Sequence, residues 1–305
     1  MLMDRFKATT GIEKVFPIDE ENFLKITGKR EPYCRIRAGG KESLYAVCPA
    51  CDNPIQIIGL FRDTPEAGRK PYGKHNKGSI FGLAEYDENE YLECPYSNPN
   101  KHNRGEYRRP ESKVANQILE LLRTQLDRVV YVLSKEIDIK FSDATVETML
   151  RRYLANEGWR YRVATIYNLP WVFGYAEKAV SLFGRRIIQN SNLHKALEAN
   201  CPNVCFDGKP EDECVQVKSK PGTFLDVNYT FLAYKQNRRV DGQDEEAINE
   251  TVDFRVYSGR APRIKTIYQK TIDIDPGYFL NLIHLPEEKA KRSLKLLNLA
   301  DELIK

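Results

Sequence analysis

The sequence has no long hydrophobic run, and this absence sets the first limit on what the chain does. No stretch of about 18 apolar residues occurs among the 305 residues. The first residues, "MLMDRFKATTGIEK", carry charges where a signal peptide has its apolar stretch. We therefore expect a soluble, cytoplasmic protein with no membrane partner.

The familiar catalytic motifs are also missing. There is no Walker A loop, no GxGxxG turn, no GxSxG elbow and no kinase signature. The zinc-enzyme motifs His-Glu-x-x-His and His-x-Glu followed by Pro-Cys-x-x-Cys are absent as well. Repeats of solenoid length and low-complexity tracts do not occur. These absences favour a non-enzymatic function.

Cysteine usage indicates a reducing compartment. The chain has seven cysteines, an odd number at uneven spacings. Small secreted proteins pair their cysteines, whereas a long chain without an export signal keeps them as reduced thiols or metal ligands. The cysteines therefore predict metal binding and not a disulfide framework.

Turn residues and the spacing of apolar residues divide the chain into three predicted domains. Residues 1–112 alternate Gly, Pro and Asn turns with short apolar runs, which predicts a β-rich domain with few helices. Residues 113–215 show apolar residues at helical spacing and form a helical, basic domain. Over residues 216–305 the apolar period shifts towards two, which predicts an antiparallel meander followed by a closing helix. The predicted fold class is α+β.

Serine and proline mark the starts of the predicted helices in the middle part. A long helix follows Ser112, and a second begins where Ser142 or Asp143 can accept the free first-turn N–H groups. A third is predicted over about residues 169–184, because proline is tolerated in a first helical turn. A further short helix, "NLHKALEAN", is predicted with Ser191 or Asn192 as its cap.

Cys48 and Cys51 form a Cys-x-x-Cys motif in the stretch "YAVCPACDNPIQIIGLF". A tight turn at this spacing directs both sulfurs to one metal ion, at the zinc–thiolate bond length of about 2.3 Å. A redox dithiol usually stands at the start of a helix, but a turn and a β-like run follow here. Two unliganded core thiols are the remaining alternative, and Asp52-Asn53-Pro54 favours an exposed turn instead.

A partial repeat of this motif supplies the second half of a site. "YAVCPAC" at residues 45–51 is matched by "YLECPYS" at residues 91–97, where Ser97 replaces the second cysteine. A fourth ligand is available beyond it in "CPYSNPNKH". Four protein ligands close a zinc site, so we predict a structural Zn²⁺. The predicted ligands are Cys48, Cys51, Cys94 and His102.

Two other residues compete for the fourth position. His75 is the main alternative, because Gly73 and Gly78 flank it in a loop that can fold back onto the site. Cys34 is a weaker candidate, since it lies in a presumed strand. The two-knuckle pattern resembles a zinc ribbon, and it departs from a four-cysteine ribbon at Ser97 and in the long insertion between its halves. The resemblance implies a zinc-ribbon-like N-terminal domain.

A second group of cysteines lies in "CPNVCFDGKPEDEC", shortly after a histidine. Three cysteines and one histidine are a possible zinc ligand set. The four-residue step between the first two cysteines is longer than in a usual knuckle, and the loop is acidic. Buried or free thiols are therefore the alternative interpretation of Cys201, Cys205, Cys214 and His194.

Positive charge is concentrated in the middle of the chain. The whole chain has a net charge of +4, whereas residues 151–195 contain eight Lys and Arg against two acids, a net charge of +6. Arginine binds phosphate in a bidentate manner, and aromatic rings stack on exposed bases. Packing of the aromatics between domains is the alternative. The predicted nucleic-acid-binding residues are Arg104, Arg108, Arg109, Arg151, Arg152, Trp159, Arg160, Tyr161 and Arg162.

A metal-dependent nuclease is the enzymatic alternative. If "EIDIK" is a strand, its alternate residues share one face, and Glu136, Asp138 and Lys140 would converge on one metal-bound phosphate. An ordinary amphipathic edge strand explains the same pattern.

The sequence thus predicts a zinc-containing nucleic-acid-binding or adaptor protein without enzymatic activity, whose partner is DNA or RNA. The nuclease is one alternative. A protein-binding scaffold subunit of a larger complex is the other, with the aromatic residues facing a protein partner.

Overall fold

Helices and antiparallel sheets are both substantial, which confirms the predicted α+β fold class. None of the helices in the described part of the chain has the length and apolar character that a bilayer crossing requires. The computed structural model describes residues 3–36, 40–61, 70–97, 107–241, 245–259, 263–286 and 292–304.

A four-stranded antiparallel sheet of order β3-β4-β5-β6 forms the centre of the N-terminal part. Its strand β4 is buried along nearly its whole length, and short apolar runs between turns produce the neighbouring strands. The elements of this part are β1 (Arg5–Phe6), β2 (Phe16–Pro17), α1 (Glu20–Thr27), β3 (Cys34–Ile36), β4 (Glu42–Val47), β5 (Pro54–Ile58), β6 (Tyr72–His75) and α2 (Glu88–Glu93).

The helices of the middle part begin where serine caps predict them. Ser112, Ser142 and Ser191 each accept a first-turn backbone N–H, and the three helices that follow are confirmed. The third predicted helix ends at Tyr175, well before residue 184, because the chain then enters a strand that pairs with the C-terminal sheet. The helices are α3 (Lys113–Ile137), α4 (Asp143–Ala155), α5 (Leu169–Tyr175) and α6 (Asn192–Asn200).

Two further antiparallel sheets complete the middle and C-terminal parts. One has the order β10-β11-β9-β7, and the other has the order β14-β13-β12-β8, so the predicted meander of three consecutive strands is confirmed. The strands are β7 (Ile139–Lys140), β8 (Val180–Ser181), β9 (Arg186–Ile188), β10 (Val204–Asp207), β11 (Cys214–Ser219), β12 (Val227–Asp241), β13 (Glu245–Ser258) and β14 (Lys265–Ile274).

The last two helices pack on the long helix α3. The predicted closing helix is present as α8 (Leu294–Leu303), which contacts α3 and α4, and α7 (Pro276–Ile283) also contacts α3. Buried apolar side chains from the N-terminal, middle and C-terminal parts belong to one hydrophobic cluster. The three domain boundaries stay a prediction.

The strand predicted for "EIDIK" is wrong, because α3 continues through Ile137. Glu136 is therefore helical, and its carboxylate pairs with Lys270 at 3.2 Å. Asp138 ends the helix in the left-handed conformation (φ 57°), and Lys140 pairs with Glu213 at 3.6 Å. Glu136, Asp138 and Lys140 thus do not line one strand face, which removes the geometric basis of the nuclease alternative.

Candidate metal centre

The first two candidate ligands lie in the connection between β4 and β5. Val47 and Pro54 are paired at the end of this hairpin, so residues 48–53 must reverse the chain. The backbone N–H of Cys48 donates to the carbonyl of Asn53 at 2.9 Å, and Asp52 takes a positive φ of 59°. Aspartate tolerates this left-handed conformation better than most residues. The turn holds both sulfurs of the Cys-x-x-Cys motif on one side.

The other two ligands come from separate elements. His75 ends β6, opposite Ile55 of β5, so the register of the sheet brings it beside the turn. Cys94 is the C-terminal cap of α2. The side chains of Cys48, Cys51 and Cys94 are buried, and His75 is partly exposed. One hairpin turn, one strand end and one helix end thus meet at a single point.

The ligand atoms have the spacing that tetrahedral zinc requires. All four lie within 4.8 Å of one another. The Sγ atoms of Cys48 and Cys94 are 3.8 Å apart, and Sγ of Cys51 is 3.3 Å from Nε2 of His75. With Zn–S bonds of about 2.3 Å, a tetrahedron separates two sulfurs by about 3.8 Å. The two distances of 3.8 and 3.3 Å are close to this spacing, so the set is compatible with a tetrahedral zinc ion.

The ligand set matches the prediction in its three cysteines. The structure brings Cys48, Cys51 and Cys94 together and adds His75, the predicted alternative, as the fourth member. His102 lies outside the described residues. Cys34 lies in β3 and does not belong to the cluster. The second ligand pair comes from β6 and α2 and not from a second knuckle, so the resemblance to a zinc ribbon is not confirmed.

The protonation of the three thiols also favours a cation. Burial raises the pKa of the Cys51 and Cys94 thiols. Burial acts on Cys48 in the same direction, but hydrogen bonds from the other two thiols and from nearby backbone N–H groups lower its pKa well below the usual range. For Cys51 and Cys94 burial thus favours the neutral thiol, because an uncompensated buried charge is costly. A bound metal ion would supply the positive charge that three thiolates at one buried point require.

Asn53 connects the turn to the helix that carries Cys94. Its buried amide nitrogen donates to Sγ of Cys51 at 3.4 Å and to the carbonyl of Asp87 at 3.1 Å. Its amide oxygen accepts from the backbone N–H of Asp87 at 2.7 Å. Asp87 is the N-terminal cap of α2, so this one side chain fixes the start of α2 relative to the metal turn. In the sequence, Asn53 is recognisable only as part of the "DNP" turn, and this turn does not indicate that the partner of Asn53 is Asp87.

Asp52 anchors the same turn from its other side. Its carboxylate forms an ion pair with the buried ammonium group of Lys7. It also accepts from the backbone N–H of Gly11 at 2.9 Å and from the side-chain amide of Gln117 at 2.8 Å. The turn is therefore tied to the N-terminal segment and to α3. Sequence analysis missed Lys7, because a single lysine gives no sign that it is buried.

The second cysteine group does not form a comparable site. Among the described residues, which include all four of these side chains, the only group with metal-ligand geometry is the one described above. Cys205 is paired with Lys218 of β11, four residues beyond Cys214, and four residues along a strand span about 13 Å. His194 packs its ring on Phe206, with ring centroids 4.2 Å apart. These side chains are spread over a helix and two strands.

Most of the predicted nucleic-acid-binding arginines have structural partners. Arg108 is only 1% exposed, and its guanidinium donates to the carbonyls of Tyr161 at 2.6 Å and Arg162 at 2.9 Å. Its assignment to a binding surface is therefore wrong. Arg109 pairs with Glu90 at 2.8 Å.

Three further residues of the predicted set lie near Arg108. Arg160 pairs with Glu157 and donates to the Arg108 carbonyl at 3.0 Å. The partly buried rings of Trp159 and Tyr161 contact other aromatic rings. Arg162 is partly buried, and Arg104 lies outside the described residues. Of the predicted set, the described residues that remain largely exposed are Arg151 and Arg152.

Comparison of the chain with known protein families, curated proteins and solved structures found no match. The functional conclusions therefore depend on the geometry and the charge of the described residues.

Proposed function

We propose that this chain is a non-enzymatic nucleic-acid-binding protein with a structural zinc centre. A catalytic zinc keeps one position for water or substrate, whereas three sulfurs and one imidazole nitrogen fill a tetrahedron with protein atoms. The bound metal would join the β4–β5 turn, β6 and the end of α2. Much of the folding free energy of this part would then come from metal binding.

The exposure of Arg151 and Arg152 carries the nucleic-acid part of the proposal. Both extend from the C-terminal half of α4, and each has a single carboxylate partner, Glu147 at 2.8 Å and Glu177 at 3.0 Å. Lys178, next in the chain to Glu177, is also exposed. Because residues 151–195 have a net charge of +6, this region attracts a polyanion, and arginine suits phosphate in particular.

Salt-dependent binding to labelled DNA and RNA oligonucleotides tests this proposal. We expect fluorescence anisotropy to show affinity that falls as salt rises, because bound phosphates release counterions. Arg151→Glu should weaken binding, since it reverses a charge on the proposed surface. Arg123→Glu is the control for the same charge reversal at another helical arginine, which pairs with Glu120 one turn away at 2.7 Å and also with Asp301 of α8.

Two results would contradict the proposal. One is undetectable or salt-insensitive binding to both DNA and RNA. The other is equal loss of affinity in the Arg151 and Arg123 variants, which would mean that net charge and not this surface controls binding. A scaffold protein would show neither salt-dependent binding nor a difference between the two variants.

A further inference from the structure

We infer that the nucleic acid bound by this protein is single-stranded and lies across Arg152, Phe183, Arg185 and Phe224. The inference rests on the proposed function and names both the ligand form and the surface. Residues 182–185 connect β8, an edge strand of the C-terminal sheet, to β9 of the middle sheet. The surface, called here the basic-aromatic edge, consists of these four side chains.

Two arginines supply the positive charge of the basic-aromatic edge. Arg152 donates to Glu177 at 3.0 Å, and Arg185 donates to the hydroxyl of Thr145, seven residues before Arg152 on α4. Residues seven apart lie on one face of a helix, about 10 Å apart along its axis. Both guanidinium groups also interact electrostatically with Glu177. Two positive charges therefore share one carboxylate.

Two exposed aromatic rings supply the second part of the surface. Phe183 is 51% exposed and Phe224 is 80% exposed. The backbone N–H of Leu182 donates to the carbonyl of Val227 at 2.8 Å, which places the residue before Phe183 beside the segment that leads from Phe224 into β12. Gly184, with a φ of 76°, allows the sharp turn between Phe183 and Arg185. Large exposed aromatics near one another mark an interaction surface.

This combination fits an unpaired strand better than a duplex. In a duplex the faces of the bases are stacked on one another, whereas an unpaired strand presents each base to an aromatic ring. Arginines beside those rings can bind the phosphates of the same strand. The nearby acids, Glu177 and Asp226, bond to Arg152 and to the side chain of Asn228 within the protein. Glu177 is therefore compensated by Arg152, whereas Asp226 keeps its negative charge, which Arg185 and the exposed Lys178 together outweigh.

The experiment compares single-stranded and duplex oligonucleotides of one length by fluorescence anisotropy, in separate DNA and RNA series. We expect the full-length protein to bind the single strand at least 10-fold more tightly than the duplex. Phe183→Ala and Phe224→Ala should each weaken single-strand binding about 5- to 100-fold, the usual loss for one stacked base. Phe81→Ala is the matched control, because Phe81 is 91% exposed but lines a different surface, a cavity that also contains Cys51.

The contribution of positive charge at the basic-aromatic edge is tested with a variant that leaves the fold unchanged. Arg152→Ala would remove the ion-pair partner of the buried Glu177. The safer substitution is Lys178→Ala, since Lys178 is exposed and next in the chain to Glu177, although it is not one of the four edge side chains; it should lower single-strand affinity and reduce the salt dependence. Equal or tighter duplex binding, or phenylalanine variants that behave like Phe81→Ala, would overturn this inference and leave the proposed function standing. Absence of binding to every oligonucleotide would overturn both.

Discussion

Two groups of side chains in this protein contain the same ligand types, and only one of them is assembled as a metal site. Each has three cysteines and one histidine. In the N-terminal group the four ligand atoms lie within 4.8 Å of one another. In the other group, Cys201 ends α6, Cys205 and Cys214 lie at different levels of neighbouring strands, and the histidine packs on Phe206. Composition alone therefore does not identify a metal site.

The local backbone explains the difference. Cys48 and Cys51 lie in one tight turn, so their sulfurs converge whatever the rest of the chain does. Asn53 and Asp52 then tie that turn to α2, to α3 and to the N-terminal segment. Three residues lie between Cys201 and Cys205, and a turn leads from the helix directly into a strand. A strand separates side chains by about 3.3 Å per residue, and it cannot gather them at one ion.

The largest effect in this comparison should come from removing one ligand. We expect Cys48→Ser to abolish stoichiometric zinc binding and to lower the free energy of unfolding by several kcal/mol, because metal binding and folding are coupled. The matched variant Cys214→Ser should keep its zinc and cost about 1–3 kcal/mol, the price of a buried hydroxyl. Zinc content by elemental analysis and urea unfolding measure both. A wild-type protein whose urea unfolding is unchanged by removal of zinc would contradict the structural role.

The second effect comes from the ion pair that anchors the metal turn. Asp52→Asn keeps a side chain that tolerates positive φ but leaves the buried Lys7 without its counter-charge, and we expect a loss of about 3 kcal/mol. Asp207→Asn breaks an exposed ion pair with Lys218, beside the second cysteine group, and should cost at most about 1 kcal/mol. Urea unfolding at neutral pH measures the two losses. Equal losses would show that the anchor contributes no more than a surface pair.

The third effect separates the candidates for the fourth ligand. His75→Ala leaves three sulfurs, and we expect zinc affinity to fall by more than about 100-fold, above the range typical for loss of an outer-shell partner. His102→Ala and His194→Ala should leave zinc affinity unchanged. Competition with a chromogenic chelator measures all three. If His102→Ala releases zinc and His75→Ala does not, then the ligand set with His102 is the correct one.

Sequence patterns predict the features of this protein that depend on neighbours in the chain. The serine caps gave the starts of three helices, and the Cys-x-x-Cys turn and its partial repeat identified three of the four clustered ligands. The position of His75 in the centre cannot be inferred from the residues next to it in the chain. His75 reaches the centre because β6 pairs with β5 in one register, Ile55 opposite His75. The pairing register of two strands this far apart in the sequence is set by the whole sheet and not by the spacing of residues within either strand.

Arg108 shows why the binding surface was harder to predict than the metal centre. Its partners are backbone carbonyls more than 50 residues away, and an arginine that satisfies such carbonyls looks in the sequence like one that binds phosphate. The strand expected at "EIDIK" failed for a related reason. Its five residues alternate between polar and apolar, but so short a pattern does not decide the secondary structure. Packing decides it here, because the apolar face of α3 contacts α5, α7 and α8 and the helix continues through Ile137.

The smallest effect concerns thiol reactivity, and it tests both cysteine groups in one sample. In the folded protein with zinc, a maleimide should label the partly exposed Cys205 first and Cys34 more slowly, because burial raises the pKa of the Cys34 thiol. Cys201 and Cys214 are buried, and burial raises their pKa as well, so they should stay protected. A zinc chelator should then expose three further thiols, Cys48, Cys51 and Cys94, as mapped by peptide mass spectrometry. If the chelator instead exposes Cys201 and Cys214, then the second group holds a metal too, and the contrast between the two groups is lost.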